Sequence, residues 1–513
     1  MRYLFLTPPF VQTNTPYPAT AHLVGFLKDC GLDVHQRDLS IKVARDVLME
    51  YGGEEIDELL EFLSGEAPAE AKIEASKFID EVALDIRNNV DPQFGFSRYA
   101  EKISASLCDF RELEKLVKRR GVIDAPLECR LEEAIAEIQP DEIGVACPFP
   151  GTLVASFKVA AYVRKHHPSI KLSLGGGFVS TELRNMSDKR PYKYFDRFLL
   201  DEGYGYYTGK DVPVFVKPSY EGLDKSEYFD VVETANPMHS LWSAGKWIKL
   251  QMARGCYWHK CAFCDVHLPY IKCFEMPKAG EIVDAMQELM GNETCGKFHF
   301  VDEAMPPALV RQVAEEIIRR DINCQWWGNI RFDTSWTEDL AMLMAKSGCI
   351  AVTGGLECAN DRLLALMNKG ITLSSARKAL RSFKKCGIMV HAYLMYGFPT
   401  ETAEEALGAL DTIRKLFKYK LISSAFWHRF ALTIHSPIYR NAKDFKLKIL
   451  QPENGNRRIF SLNEIPFREK GSPNWNKIGK ILNLATYNYL ERHGLDKPIE
   501  FWCELCAKRR IKK

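Results

Sequence analysis

Hydrophobic positions recur along the chain with two alternating periods, one of strands and one of helices. Residues 3–7 form a short apolar run that ends in Pro8-Pro9, the pattern of a buried strand entering a loop. Residues 21–31 place Leu23, Val24, Phe26 and Leu27 at helical spacing and stop at Gly31, and a strand follows over 32–34. The beat resumes with a strand over 142–146, a helix over 152–165, and a strand over 171–174 that runs into Gly175, Gly176 and Gly177. A further strand over 196–200 runs into Asp201-Glu202-Gly203. This alternation predicts an α/β domain over residues 1–210, a doubly wound parallel sheet with ligand loops at the carboxyl ends of its strands. Inside it, residues 41–138 are rich in Glu, Lys, Leu and Ala, with helical spacing such as Ile56, Leu59, Leu60, Phe62 and Leu63. They read as a helical insertion whose charged positions form solvated faces.

Residues 211–245 carry Pro213, Pro218 and Pro237 without a clear period and read as a linker. From Trp247 the alternation returns, with strands expected over 248–253, 297–301, 324–329, 350–356, 389–396 and 424–432. Six such units over 246–440 predict a partial, TIM-like (β/α)6 barrel, with active residues at the C-terminal strand ends. Residues 441–513 begin as irregular polar sequence and end in helices, a C-terminal extension. No repeat of solenoid length is present.

Composition narrows the function classes. The 513 residues hold 69 Lys and Arg against 67 Asp and Glu, a net charge of +2, and this near-balance argues against a dedicated nucleic-acid binder. With 46% hydrophobic and 27% charged residues, long disordered stretches are not expected. The first ten residues lack the longer apolar stretch and cleavage site of a signal peptide. No window approaches the roughly 18–20 apolar residues of a membrane span. The chain therefore reads as cytoplasmic, where clustered cysteines point to metal or catalytic chemistry rather than disulfides. Of the 15 cysteines, 12 lie outside one tight cluster, and most of these read as small buried hydrophobes.

The other three fall in Met252-Ala-Arg-Gly-Cys256-Tyr-Trp-His-Lys-Cys261-Ala-Phe-Cys264-Asp, directly after a predicted strand. Three thiolates so close converge on one centre when the connecting chain folds around it as a loop. A 4Fe–4S cluster on three cysteines leaves one iron open to an exchangeable ligand. A structural zinc site wants four protein ligands, and Cys273, His259 or His267 is available to complete one. From the spacing, both readings stand, and the zinc reading corresponds to a non-catalytic binding protein.

The loop resembles the cluster-binding loop of radical S-adenosylmethionine (radical SAM) enzymes, three cysteines with an aromatic before the last, here Phe263. It departs from the usual three-residue first spacing, since Tyr257 to Lys260 make four. Further segments match in order: His299-Phe-Val-Asp302-Glu303 at the second strand, Gly354-Gly355-Leu-Glu357 at the fourth, Leu394-Met-Tyr-Gly-Phe-Pro399 at the fifth and Thr433-Ile-His-Ser-Pro at the sixth. The resemblance implies that Cys256, Cys261 and Cys264 hold a 4Fe–4S cluster. It also implies that Phe263 packs beside the adenine of S-adenosylmethionine, that Asp302 and Glu303 meet its amino group, and that Gly354, Gly355 and Glu357 admit and face the cofactor. One electron from a reductant such as flavodoxin or ferredoxin then yields a 5′-deoxyadenosyl radical, which the barrel shields from water and competing donors. No single residue is singled out as catalytic.

A doubly wound, Rossmann-like domain before such a barrel resembles the cobalamin-binding branch of the family. The pieces that carry this are Thr7-Pro8-Pro-Phe10, Cys147-Pro148-Phe-Pro-Gly151, Gly175-Gly176-Gly177 and Asp201-Glu202-Gly203. Pro8, Phe10, Pro148, Gly151, Gly175, Gly176, Gly177, Glu202 and Gly203 are the implied corrin contacts. The Asp-x-His-x-x-Gly signature of histidine-ligated cobalamin proteins is absent, and His35 does not supply it. A sheet that binds no corrin is the alternative. Methylthiotransferases, with a second three-cysteine cluster, fit less well, because Cys30, Cys108, Cys129 and Cys147 are dispersed. The implied reaction is methylation of an unactivated carbon of a small-molecule or peptide substrate. Cyclisation, rearrangement and cobalamin-free radical chemistry are the alternatives.

Smaller signals are bland. Cys503 and Cys506 are spaced for helix packing, since two ligands do not close a site. The basic end 508–513 reads as a solvated terminus. Trp326, Trp327, Arg331, His391, Tyr393, His428 and Arg429 lie on or beside barrel strands as candidate walls of the substrate space.

Overall fold

Tyr3 and Phe5 pack on one side of the first strand and Leu4 and Leu6 on the other, so a run of consecutive apolar residues becomes a strand covered on both faces. The computed structural model describes residues 1–104, 109–245, 247–450 and 458–508; Cys108 and the basic end 509–513 lie outside them. Two units emerge, one built mainly from residues 1–235 and one mainly from residue 248 onward.

In the first unit, β1 (Arg2–Thr7), β2 (Asp33–Asp38), β3 (Glu142–Ala146), β4 (Lys171–Gly175) and β5 (Arg197–Phe198) form a parallel sheet in the order β2-β1-β3-β4-β5. The connections diverge between β1 and β3, the topological switch point at which open α/β sheets bind ligands beyond their carboxyl ends. Helix Pro18–Asp29 starts earlier than the periodicity indicates, because Pro18 suits a first turn whose N–H needs no partner. Between β2 and β3 the chain forms a set of helices from Leu39–Tyr51 to Asp124–Ile138 that join the main core.

The stretch expected to be a linker, 211–245, departs from that reading: most of it belongs to the first unit. Gln36 Nε2 donates to the carbonyls of Ser219 and Glu221, Tyr228 donates to Asp38 at 2.7 Å, and Lys72 pairs with Asp230 at 2.6 Å. Gly25 makes room for this segment, since a Cβ there would lie 2.1 Å from the Lys217 carbonyl oxygen. Residues 458–463 of the expected extension also join this unit, with Phe460 packed on Phe110 and Phe157.

The second unit holds six parallel strands in chain order: β6 (Ile248–Leu250), β7 (Gly296–Phe300), β8 (Cys324–Ile330), β9 (Cys349–Glu357), β10 (Met389–Tyr396) and β11 (Ser424–Arg429). Helices Ala279–Met290, Pro307–Arg319, Glu338–Lys346, Leu373–Lys385 and Ala403–Lys418 link consecutive strands, the order of a (β/α)6 partial barrel. β6 ends at Leu250, short of the expected 253, because the amides of Met252 and Ala253 are taken by the Asp302 carboxylate at 2.9 and 2.7 Å. Helix Trp475–Leu490 lies against β11, with Trp427 Nε1 donating to Thr486 at 2.8 Å. No helix among the described residues is long and apolar enough to cross a membrane.

Candidate active site

The three-cysteine loop leaves β6 through a sequence of backbone constraints. Asp302 holds Met252 and Ala253, and the backbones of Arg254 and Glu275 bond each other at 3.0 and 3.1 Å. Gly255 then turns with φ +73°; a Cβ there would come within 2.5 Å of the Cys273 carbonyl oxygen, so glycine is required. Cys256 N–H donates to Ile271 O at 2.9 Å and Ala262 N–H to Met367 O at 2.8 Å, fixing both sides of the loop.

The four-residue first spacer has its own anchor. Trp258 Nε1 donates to Asn368 O at 2.8 Å, and Asn368 Nδ2 returns a bond to Lys260 O at 2.9 Å. The indole lies on Gly370, where a Cβ would be 2.1 Å from Trp258 Cζ2. His259 Nδ1 is 2.9 Å from Cys256 O, and His267 is exposed, so neither imidazole is drawn to the thiols as a fourth ligand.

Burial raises the Cys261 and Cys264 thiols. Lys369 and Arg331 oppose that rise at Cys261, whereas Cys261, Glu303, Asp265 and Cys256 add to it at Cys264. Cys264 thus feels both of the other thiols, and a bound metal centre would supply the positive charge that offsets the burial of Cys261 and Cys264. Arg331 Nε, buried and without a hydrogen-bond partner among the described residues, lies in this neighbourhood. Three thiols and an unused donor suit a sulfide-containing cluster.

The other expected cofactor residues divide into distinct roles. Asp302 is buried, its carboxyl pushed up to about 7 by burial, and both its oxygens serve the backbone of the loop. Glu303 is solvent-accessible, and partial desolvation raises its carboxyl. Gly354 makes room for its neighbours, since a Cβ would meet Ile330 O and the Phe332 ring at 2.9 Å. Glu357, with φ +52°, pairs with Lys369 at 2.7 Å, and Lys369 Nζ also lies 5.5 Å from the centre of the Phe263 ring. Trp258 and Lys369 lie outside the set of cofactor residues implied by the sequence. Their signals were the extra spacer residue and the Asn368-Lys369-Gly370 turn, in which Asn368 and Gly370 have positive φ.

Inside the barrel, His299 stacks on Trp327 with ring centres 3.5 Å apart. Burial, with Lys249 nearby, holds its imidazole down to about 3. Asn329 bridges Asp302 O and Thr353, and His391 Nδ1 is 2.7 Å from Ser424 Oγ. Tyr393 and His428 are exposed with rings 6.5 Å apart. Two candidate wall residues point elsewhere: Trp326 is fully buried with Nε1 bonded to Ser347 O, and Arg429 bonds Asn476 on helix Trp475–Leu490.

In the sheet unit, Pro8 and Pro148 flank the switch point at the ends of β1 and β3, and both are buried. Phe10 turns into the core against Phe94 and Phe96. Gly151 packs on Arg98, Gly176 on the Cys147 carbonyl and Gly177 on that of Pro148, so this chain's own backbone uses the space these glycines leave. Gly175 has only ordinary contact at 3.6 Å to Leu199 O, and Gly203 caps a short helix with φ +72° beside a half-buried Glu202. Phe149, not chosen from the sequence, is 47% exposed and packs edge-on with Tyr17, so an aromatic face lies open at the switch point.

Comparison with known proteins agrees with this geometry. Residues 250–413 match the model of the Radical SAM superfamily. An uncharacterized methyltransferase of Pyrococcus horikoshii is 26% identical over 32% of this chain and 36% of its own length. The anaerobic magnesium-protoporphyrin IX monomethyl ester cyclase of Rubrivivax gelatinosus is 28% identical over 40% of this chain and 39% of its own length. The chain thus spans less than half the length of these relatives. The radical S-adenosylmethionine methyltransferase TsrM from Kitasatospora setae, solved with cobalamin and a 4Fe–4S cluster bound, shares the fold. That match has a TM-score of 0.56 at 14% identity and covers 98% of this chain and 100% of the other.

Proposed function

We propose that this chain, which carries a radical SAM superfamily domain at residues 250–413, is a radical SAM enzyme that also binds cobalamin and methylates an unactivated carbon. The observation that carries the reading is the loop of Cys256, Cys261 and Cys264 at the C-terminal end of the first strand of a six-stranded parallel barrel. When bound, the cluster supplies the electron that cleaves S-adenosylmethionine to a 5′-deoxyadenosyl radical, and the corrin supplies the methyl group. The chain's own residues bind and shield. Phe263 offers a face to the adenine, Glu303 presents a carboxylate to the amino group, and Gly354, Gly355 and Glu357 shape the wall beside the ribose. Asp302 acts one step back, by holding the loop.

Beyond the carboxyl ends of the sheet, Pro8 and Pro148 at the switch point, with Gly175, Glu202 and Gly203 after β4 and β5, border the place for the corrin, and the open face of Phe149 adds to them. The substrate is a small molecule or peptide, the electron donor is of the flavodoxin or ferredoxin type, and the enzyme works in the cytoplasm without nucleic acid. Cobalamin-assisted cyclisation is the second reading, favoured by the cyclase among the relatives.

Anaerobic reconstitution tests both cofactors. About four irons with matching sulfide, lost together in Cys256→Ala, are expected; one zinc and no iron would overturn the cluster. Retained corrin absorbance after incubation with hydroxocobalamin is expected. A protein that keeps no corrin yet releases 5′-deoxyadenosine would be a cobalamin-free radical SAM enzyme.

A further inference from the structure

Arg331, one residue beyond β8, is only 4% exposed, and arginines are rarely buried unless paired. Among the described residues no carboxylate forms an ion pair with it; the nearby Asp333 accepts from Tyr257 at 2.7 Å instead. Its Nη1 lies 3.8 Å from Cys261 Sγ, its Nη2 donates to Lys369 O, and its Nε has no partner among the described residues. The guanidinium sits over the rings of Trp258 and Tyr257, 4.7 and 5.8 Å from their centres, both in the spacer between Cys256 and Cys261. The other buried cation nearby, Lys369, is offset by Glu357. A buried cation with no anion is costly, and the anion this site lacks is the one a thiolate-bound cluster would bring.

We propose that Arg331 is a positioning residue for the iron–sulfur cluster, donating from Nη1 to Cys261 Sγ and raising the cluster's reduction potential. This rests on the cluster reading above. Reduction adds one electron to a centre already made negative by its thiolates. A fixed guanidinium and an N–H···S bond therefore stabilise the reduced form more than the oxidised one. The spacer serves the same end, because its Trp258 and Tyr257 rings hold the guanidinium on the Cys261 side.

The experiment compares wild type with Arg331→Lys, Arg331→Gln and Arg331→Met, each reconstituted anaerobically with iron and sulfide. Reduction is followed by electron paramagnetic resonance without S-adenosylmethionine or substrate. With about four irons bound in each, the reduction equilibrium of Arg331→Met is expected to be at least tenfold less favourable, a midpoint lower by ~59 mV for one electron. Arg331→Lys, which keeps the charge, should fall between. If Arg331→Met does not hold the cluster, Arg331→Gln replaces it in the same comparison. Unchanged potentials in fully loaded variants would overturn the proposal, as would loss of the cluster from all three variants, which would assign Arg331 to loop folding. A wild type that binds no four-iron cluster refutes the underlying cluster reading instead.

Discussion

Lys369 Nζ lies 2.7 Å from Glu357 Oε1, and the two charges meet where a Cβ on Gly355 would stand, 2.0 Å from that oxygen. The glycine pair at the end of the fourth barrel strand thus makes room for an internal ion pair as well as for a neighbouring strand. Glu357 reaches it from a left-handed backbone position, φ +52°.

That pair is nearly buried, with side chains 10% and 9% exposed. Lys369→Met is expected to cost ~3 kcal/mol or more, because it leaves a carboxylate buried without its partner. The double variant Lys369→Met/Glu357→Leu should recover much of that loss. Urea denaturation of the two single variants and the double variant checks it, and strictly additive costs would show that the two charges do not act as a pair.

The longer cysteine spacer depends on the Trp258–Gly370 contact. Gly370→Ala adds a Cβ 2.1 Å from the indole at a residue with φ +70°. It is expected to displace the loop and reduce iron incorporation severalfold. Gly370→Ala/Trp258→Ala should regain part of it by removing the clash. Iron and sulfide content after reconstitution is the readout; equal incorporation by wild type and Gly370→Ala would show that the loop does not need this seat.

His299 gives the barrel a pH dependence. Its folded pKa, about 3, lies below the unfolded value of 6.5, so below 6.5 the unfolded chain binds a proton that the folded one refuses. The stability from a neutral His299 is complete above about pH 6.5 and is lost as pH falls toward 3. Between pH 7.5 and pH 5 the loss is about 1–2 kcal/mol. His299→Gln should remove that slope, and urea midpoints at the two pH values measure it; a variant that keeps the full slope would acquit His299.

The switch point of the sheet separates a structural residue from a binding one. Gly176 has φ +107°, and a Cβ there would lie 2.8 Å from Cys147 O, so Gly176→Ala should destabilise the sheet unit by more than ~1 kcal/mol. Phe149→Ala, at an exposed ring, should change stability by less than about 0.5 kcal/mol while weakening hydroxocobalamin retention about tenfold, ~1.4 kcal/mol. Thermal melts and corrin titration read the two effects apart; unaltered retention in Phe149→Ala would remove that ring from the corrin site.

Local order carried far in this chain. The apolar run of β3 ends where the sequence pattern ends it, because a strand buried on both faces needs an unbroken run and stops at its loop residues; β10 also keeps its expected bounds, with Tyr393 exposed on one face. The three thiols could be read as one site because nine consecutive residues, 256–264, hold them all. Partnerships between distant segments were beyond that reach. Asp302, expected at a cofactor, instead holds the amides of Met252 and Ala253, some 50 residues earlier in the chain. Phe10, expected at a corrin, packs on Phe94 and Phe96 in the insertion, and the prolines of 211–245 suggested a linker where hydrogen bonds to Gln36, Asp38 and Lys72 bind the segment to the sheet unit. Periodicity and spacing are properties of neighbours in sequence, so they reveal strands, helices and a three-cysteine loop. Which carboxylate pairs with which cation, and which glycine yields its space to which backbone, is settled only when distant segments pack and each buried polar group must find a partner.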